Sequence, residues 1–172
     1  MTTAADAPVQ VGALVFDVFG TVVDWRSSVA AEVRSLGWPG DPPAFADAWR
    51  AGYVPAMREV RDGRLPWTNI DGLHRRILDA LLAERGLAPP ETEVAELNRV
   101  WHRLTPWPDS VAGLGRLKVR FPVCTLSNGN VSLLLDLARH AGLPWDAIFS
   151  AELFGHYKPN PEAYLGACRL LD

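Results

Sequence analysis

Hydrophobic positions in this chain follow two different spacings. From Val11 to Phe16 apolar residues crowd together, β-branched and aromatic members among them, and the run stops at Asp17, after which Gly20 and Thr21 turn the chain. So short and apolar a run reads as a strand buried on both faces, as in the middle of a parallel sheet. Beyond Asp24 the spacing becomes helical. Val29, Val33 and Leu36 recur through residues 26–36, with Ser27 or Ser28 as the cap and Gly37 as the stop. Residues 43–61 hold Trp49, Tyr53 and Met57 on one side, with an irregularity expected near Gly52 and Pro55. The clearest stripe is Ile70, Leu73, Ile77, Leu78, Leu81 and Leu82, closed by Gly86. A fourth helix is expected from Pro90 to Leu104, opening on proline and an acidic turn. No strand is expected between residues 26 and 104.

After that helical block the pattern alternates again. Residues 109–120 read as a short helix, 121–127 as a second buried strand, 130–142 as an amphipathic helix ending at Gly142, 147–152 as a third strand and 161–172 as a last helix. One strand, a helical insertion, then helix and strand in alternation is the grammar of a parallel sheet interrupted once near its start. The fold class is therefore α/β. The sheet core draws on residues 1–24 and 106–172, and the inserted helices on residues 25–105.

Composition narrows the function classes. The chain has 172 residues, enough for one good core plus a small insertion, and its apolar share of 48% is that of an ordinary globular protein. A formal charge of −3 with no run of Lys or Arg argues against nucleic acid as a partner. The first ten residues lack a signal peptide's positive start and apolar stretch, and no segment is long and apolar enough to span a membrane, so a cytoplasmic location is expected. Cys124 and Cys168 form neither a disulfide framework nor a metal spacing, and both read as reduced core residues. His74, His102, His140 and His156 lack ligand spacing and read as packed or solvated. Trp38, Trp101, Trp107 and Trp145 flank loops and are expected to pack the helical block against the sheet.

Chemistry collects at the ends of the strands. Asp17 ends the first, where it either starts a turn or faces the crevice in which open α/β sheets bind ligands. Ser127, Asn128 and Gly129 end the second and lead into a helix N-terminus, as ordinary caps or as an anion site. Lys158, one of only two lysines, follows the third in a loop held by two prolines. Alone it would read as a solvated surface lysine. Right-handed crossovers bring all three clusters to one rim of the sheet, and their meeting points to a site.

The segments DVFGT, LSNG and YKPNPEAY resemble motifs I, II and III of the haloacid dehalogenase superfamily of hydrolases. The resemblance covers nearly the whole chain. It implies a Rossmann-like core with an α-helical cap domain formed by the inserted block. Two residues after the nucleophile, the phosphatases of that superfamily have an aspartate that serves as general acid. Here the position holds Phe19, which cannot transfer a proton, and an aromatic there resembles the L-2-haloacid dehalogenases. Arg50, after Trp49, resembles their cap arginine, although by itself it would read as a solvated helix residue.

By that resemblance Asp17 attacks C2 of a short 2-haloalkanoate and forms an aspartyl ester, Lys158 keeps Asp17 ionised and aimed, and Arg50 meets the departing halide. Ser127 and the backbone around Asn128 hold the substrate carboxylate, Thr21 and Tyr164 orient Asp17 and Lys158, and Phe19 and Trp67 line an apolar pocket. No metal or other cofactor is implied. The implied partner is the small substrate, with a homodimer common among similar proteins. The family pattern continues past Asp172 into motif IV, an acidic loop that activates water against the ester. The expectation is an incomplete core whose first strand sits at an open edge and whose turnover is impaired. The alternatives are a Mg-dependent phosphatase of the same superfamily and a catalytically incomplete fragment.

Overall fold

The computed structural model describes residues 10–172. The assignment of residues 1–9 to the core, and the reading of their lack of a signal peptide, lie outside the described residues.

Strand β1, Leu14–Phe16, carries the chain to Asp17. A tight turn follows, in which the Val22 and Val23 amides bond to the Val18 carbonyl and Gly20 sits at a φ of 87°. Strand β2, Val23–Asp24, leads directly into α1, Trp25–Ser35. The cap of α1 is Asp24, whose carboxylate accepts from the Ser27 amide, and not either serine. Helices α2, Pro42–Ala51, and α3, Tyr53–Arg61, replace the single helix expected over residues 43–61. They break at Gly52, which lies so close to Ile77 that a Cβ would sit 2.5 Å from its Cγ2. Helix α4, Ile70–Glu84, is capped by Asn69 and buries Ile70, Leu73, Leu78, Leu81 and Leu82 as its stripe requires, together with His74. Helix α5, Glu91–Asn98, tightens into a 3-10 turn, Arg99–His102, before β3, Thr105–Pro106.

Among the described residues, no strand lies inside residues 26–104, as the spacing predicts. The two-residue ribbon that flanks them was not legible. In it β2 and β3 pair antiparallel, Val23 with Pro106 and Asp24 with Thr105, so the helical block leaves and rejoins the chain at one point.

The remaining elements are α6, Ser110–Lys118; β4, Val123–Ser127; α7, Val131–Ala141; β5, Ala147–Ser150; α8, Ala151–Phe154; and α9, Pro161–Leu170. The sheet is parallel in the order β1-β4-β5. Every residue of β4, the central strand, is buried. Strand β1 is not buried on both faces, as its apolar run alone suggests. Among the described residues it pairs only with β4, and Val15 is 42% exposed, so it sits at the open edge that the resemblance implies.

Side chains alternate across the sheet. Cys124 and Leu126 of β4 join Phe149 and Ala167 in a small cluster under α9. On the other face a larger core runs without interruption from Val18, Phe19, Leu133 and Leu137 into Trp49, Leu73 and Trp101 of the helical block. Each fully buried side chain of this kind contributes about 1.5–3 kcal/mol. Of the four loop-flanking tryptophans, Trp101 joins the two regions, stacking on Trp25 and meeting Phe19 edge-on. Trp38 packs on Phe45 within the helical block, and Trp145 packs on Phe16 beside the sheet. Trp107 is half exposed and donates to the Gly20 carbonyl. Cys124 is buried and free; Cys168, expected in the core, is free but exposed. No described helix is long and apolar enough to cross a membrane.

Candidate active site

The ends of the parallel strands converge on Asp17. The Lys158 ammonium lies 2.7 Å from Asp17 Oδ1, and the Thr21 hydroxyl donates to Oδ2 at 3.3 Å. The lysine side chain is 15% exposed and the carboxylate 45%. The cation is therefore fixed in the wall while the carboxylate keeps an open side.

The loop after β4 fixes the lysine. Asn128 Oδ1 accepts from the Lys158 backbone amide at 2.7 Å, and its Nδ2 points to the sulfur of Met57 on α3 at 3.4 Å. Ser127 is fully buried and its hydroxyl accepts from the Gly129 amide at 3.1 Å, while Ser150 donates to the Gly129 carbonyl at 2.6 Å. The turn is thus tied at both ends before α7 begins. Phe19 is buried beneath it, its ring against Gly129 so closely that a Cβ there would come within 3.1 Å. Glycine at 129 is what lets the loop lie on that ring.

Arg50, at the end of α2, has no carboxylate partner among the described residues. Its guanidinium lies 3.9 Å from the Tyr53 ring centroid and 5.7 Å from that of Trp25. Arginine stacked on aromatic faces keeps its charge without a counter-ion. Tyr53 connects this cation to the rest of the site. Burial pushes its phenol up to about 12, opposed by the positive charge of Arg50 and by hydrogen bonding to Asn128, and the Asp17 charge acts on it as well. Tyr53 is a site residue that the sequence did not disclose. Its place in the Trp49–Met57 stripe marks it only as core.

Two other candidates stand apart from this contact set. Tyr164 is half exposed and shares with Asp17, Lys158, Val15, Leu126 and Cys168 the wall of an apolar depression of about 370 Å³ on the α9 side of the sheet. Trp67 stacks on Tyr157 at 4.8 Å and lines a different hollow with Arg61, His156 and Asn160. It is therefore next to the lysine loop and not beside Asp17. His156 turns away, its Nδ1 hydrogen-bonded to the Phe154 carbonyl. Among the described residues no group of three or more His, Cys, Asp or Glu is placed to hold a metal ion.

The site is thus a carboxylate at the rim of a parallel sheet, paired with a lysine and followed along the chain by a block of helices. A model of the haloacid dehalogenase-like hydrolases matches residues 11–172, and the chain belongs to that family. Within it the chain is similar to the (S)-2-haloacid dehalogenase of Xanthobacter autotrophicus, 31% identical over 155 residues that cover 88% of this chain and 59% of that protein. A crystal structure of another L-2-haloacid dehalogenase superimposes with a TM-score of 0.91 at 51% identity, covering 95% of this chain and 72% of that one. The Xanthobacter enzyme with chloropropionic acid covalently bound superimposes with a TM-score of 0.84 at 29% identity, covering 94% of this chain and 65% of that one. The chain thus spans between 59% and 72% of the length of these relatives.

Proposed function

We propose that this chain carries the site of an L-2-haloacid dehalogenase, with Asp17 as the nucleophile toward a short 2-haloalkanoate. The observation that carries the reading is the Asp17–Lys158 contact of 2.7 Å combined with a buried phenylalanine, Phe19, two residues on. A phosphate ester needs a proton for its leaving alcohol, and Phe19 has none to give; a halide leaves without one. The covalently bound chloropropionic acid of the Xanthobacter relative supports the same chemistry.

In the proposed reaction an Asp17 oxygen forms a bond to C2 as the carbon–halogen bond breaks, and the halide departs with the bonding electron pair. Arg50, stacked and unpaired, meets the developing negative charge. The Ser127–Gly129 turn receives the substrate carboxylate, and Thr21 orients the nucleophile. Water then cleaves the aspartyl ester, releasing the 2-hydroxyalkanoate and a proton and restoring Asp17. Residues 25–105 act as the cap domain over a core of residues 1–24 and 106–172, on the strength of the ribbon at which the block leaves and rejoins the sheet. A cytoplasmic location belongs to the same reading, which leaves room for a homodimer that sedimentation equilibrium would settle.

The test exposes the protein to L-2-chloropropionate without added metal and follows chloride release and intact mass together. The expected result is chloride release, with or without a carboxyethyl adduct that maps to Asp17, and neither in Asp17→Asn. A wild-type protein that releases no chloride and gains no mass overturns the proposal, and phosphate release that requires Mg²⁺ would replace it with the phosphatase reading.

A further inference from the structure

Outside the Asp17 cluster, a tight set of charged groups surrounds His102 in the 3-10 turn. Its side chain is 9% exposed. Nδ1 lies 2.8 Å from Asp136 Oδ2 on α7, and Nε2 lies 3.1 Å from both oxygens of Asp71 on α4. Carboxylates only accept hydrogen bonds, and a neutral imidazole has a single N–H to donate. Only the imidazolium satisfies both partners. The other charged or titratable groups nearby are Arg99, 3.5 Å from Asp136, and His74 one helical turn along α4 from Asp71. Burial works against the charge on His102, but the hydrogen bonds it donates to Asp71 and Asp136 outweigh it and hold the pKa above the ordinary histidine value.

The cluster reaches the site through Asn130. Asn130 Nδ2 donates to Asp71 Oδ2 at 2.9 Å, and its Oδ1 accepts from the Asp71 amide at 3.3 Å. Asn130 is the residue that follows the Ser127–Gly129 turn and caps α7. A second tie runs alongside: Glu152 accepts from the Val131 amide at 2.8 Å and from Asn69, the cap of α4, at 3.3 Å. The start of α4 and the start of α7 are therefore laced together, and His102 holds the lacing from the far side.

We propose that protonated His102 is a positioning residue, clamping the helical block through Asp71 and Asn130 onto the turn that receives the substrate carboxylate. The inference rests on the dehalogenase reading and adds to it a charge on which substrate affinity depends. Loss of the proton leaves one carboxylate facing a bare nitrogen lone pair, loosens the Asp71–Asn130 contact and weakens binding, while the Asp17–Lys158 pair remains in place.

The test measures ester formation by intact mass against L-2-chloropropionate concentration, from neutral to alkaline pH, with the His102 titration followed by ring-proton NMR. In the wild type the half-saturation concentration rises several-fold as His102 loses its proton, and the limiting rate changes less. Asp136→Asn moves that inflection to lower pH. His102→Gln removes it and keeps the wild type's alkaline half-saturation value throughout. A half-saturation concentration that is flat across the His102 titration, or an inflection that Asp136→Asn leaves unmoved, overturns the proposal. If the wild type releases no chloride and forms no ester at any pH, the dehalogenase reading fails. The clamp is then judged by amide hydrogen exchange at residues 129–132, which accelerates as His102 deprotonates if the clamp exists and is unchanged if it does not.

Discussion

At the scale of single residues the site depends on which cations have partners. Lys158 has one and Arg50 has none among the described residues. In the proposed reaction the first holds the nucleophile and the second meets the halide. Lys158→Met removes the cation beside Asp17. It is expected to slow ester formation by about 100-fold or more, measured by intact mass, with the fold retained by circular dichroism. His74 gives a prediction of a different kind. Its ring is fully buried, stacked 4.1 Å from Trp101, and neither nitrogen has a hydrogen-bond partner. Burial holds its pKa down to about 3. A base depressed in this way is neutral in the fold and takes up a proton on unfolding. Stability is therefore full above the unfolded value near 6.5 and falls as pH drops from there toward 3. The loss at pH 4 is on the order of 3 kcal/mol. His74→Phe is expected to flatten that acid limb in thermal melts taken between neutral and acid pH. His102 acts in the opposite direction, since its raised pKa contributes stability that is full below the ordinary histidine value and is lost as pH rises through its folded value.

At the scale of elements the helical spacing was legible wherever a stripe met a glycine stop. Gly37, Gly86 and Gly142 all sit at positive φ where a helix ends. Gly52 is a different case, because it breaks α2 from α3 by close approach to Ile77 and not by its φ. Gly52→Ala forces a methyl into Ile77 and is expected to cost about 1–3 kcal/mol, read as a lower melting temperature, with Ile77→Ala in the double variant relieving the clash. The misreadings have physical reasons. Asp24 caps α1 in place of a serine because β2 delivers it to the helix start, and nothing local announces a two-residue strand whose partner, Thr105–Pro106, is some eighty positions away. Asp17, Asn128 and Lys158 could be grouped because strand ends share a rim. Tyr53 and His102 could not, since a tyrosine in an apolar stripe and a histidine near a helix end are ordinary until the partners across the fold are known. Trp67, expected with Phe19 to line an apolar pocket, has its ring against Tyr157 beside the lysine loop, a neighbour that the sequence alone does not name.

At the scale of the molecule the sheet is lopsided. Both β1 and β5 pair on one side only among the described residues, but β5 is followed at once by α8 and braced by Phe154 under α9, whereas β1 leaves Val15 exposed beside an apolar depression. Unpaired backbone groups next to apolar side chains invite a second chain. Concentration-dependent self-association is expected by light scattering, and Val15→Lys is expected to reduce it without changing the melting temperature by more than a few degrees. The Asp17–Lys158 contact has one more consequence, for the order in which the protein is made. Its two residues are 141 positions apart. At roughly 5–20 residues per second, a ribosome that has finished Asp17 takes on the order of ten seconds to reach the lysine. On the proposed reading the nucleophile is therefore made long before the cation that pairs with it, and the contact between them cannot form until Lys158 itself has been synthesised.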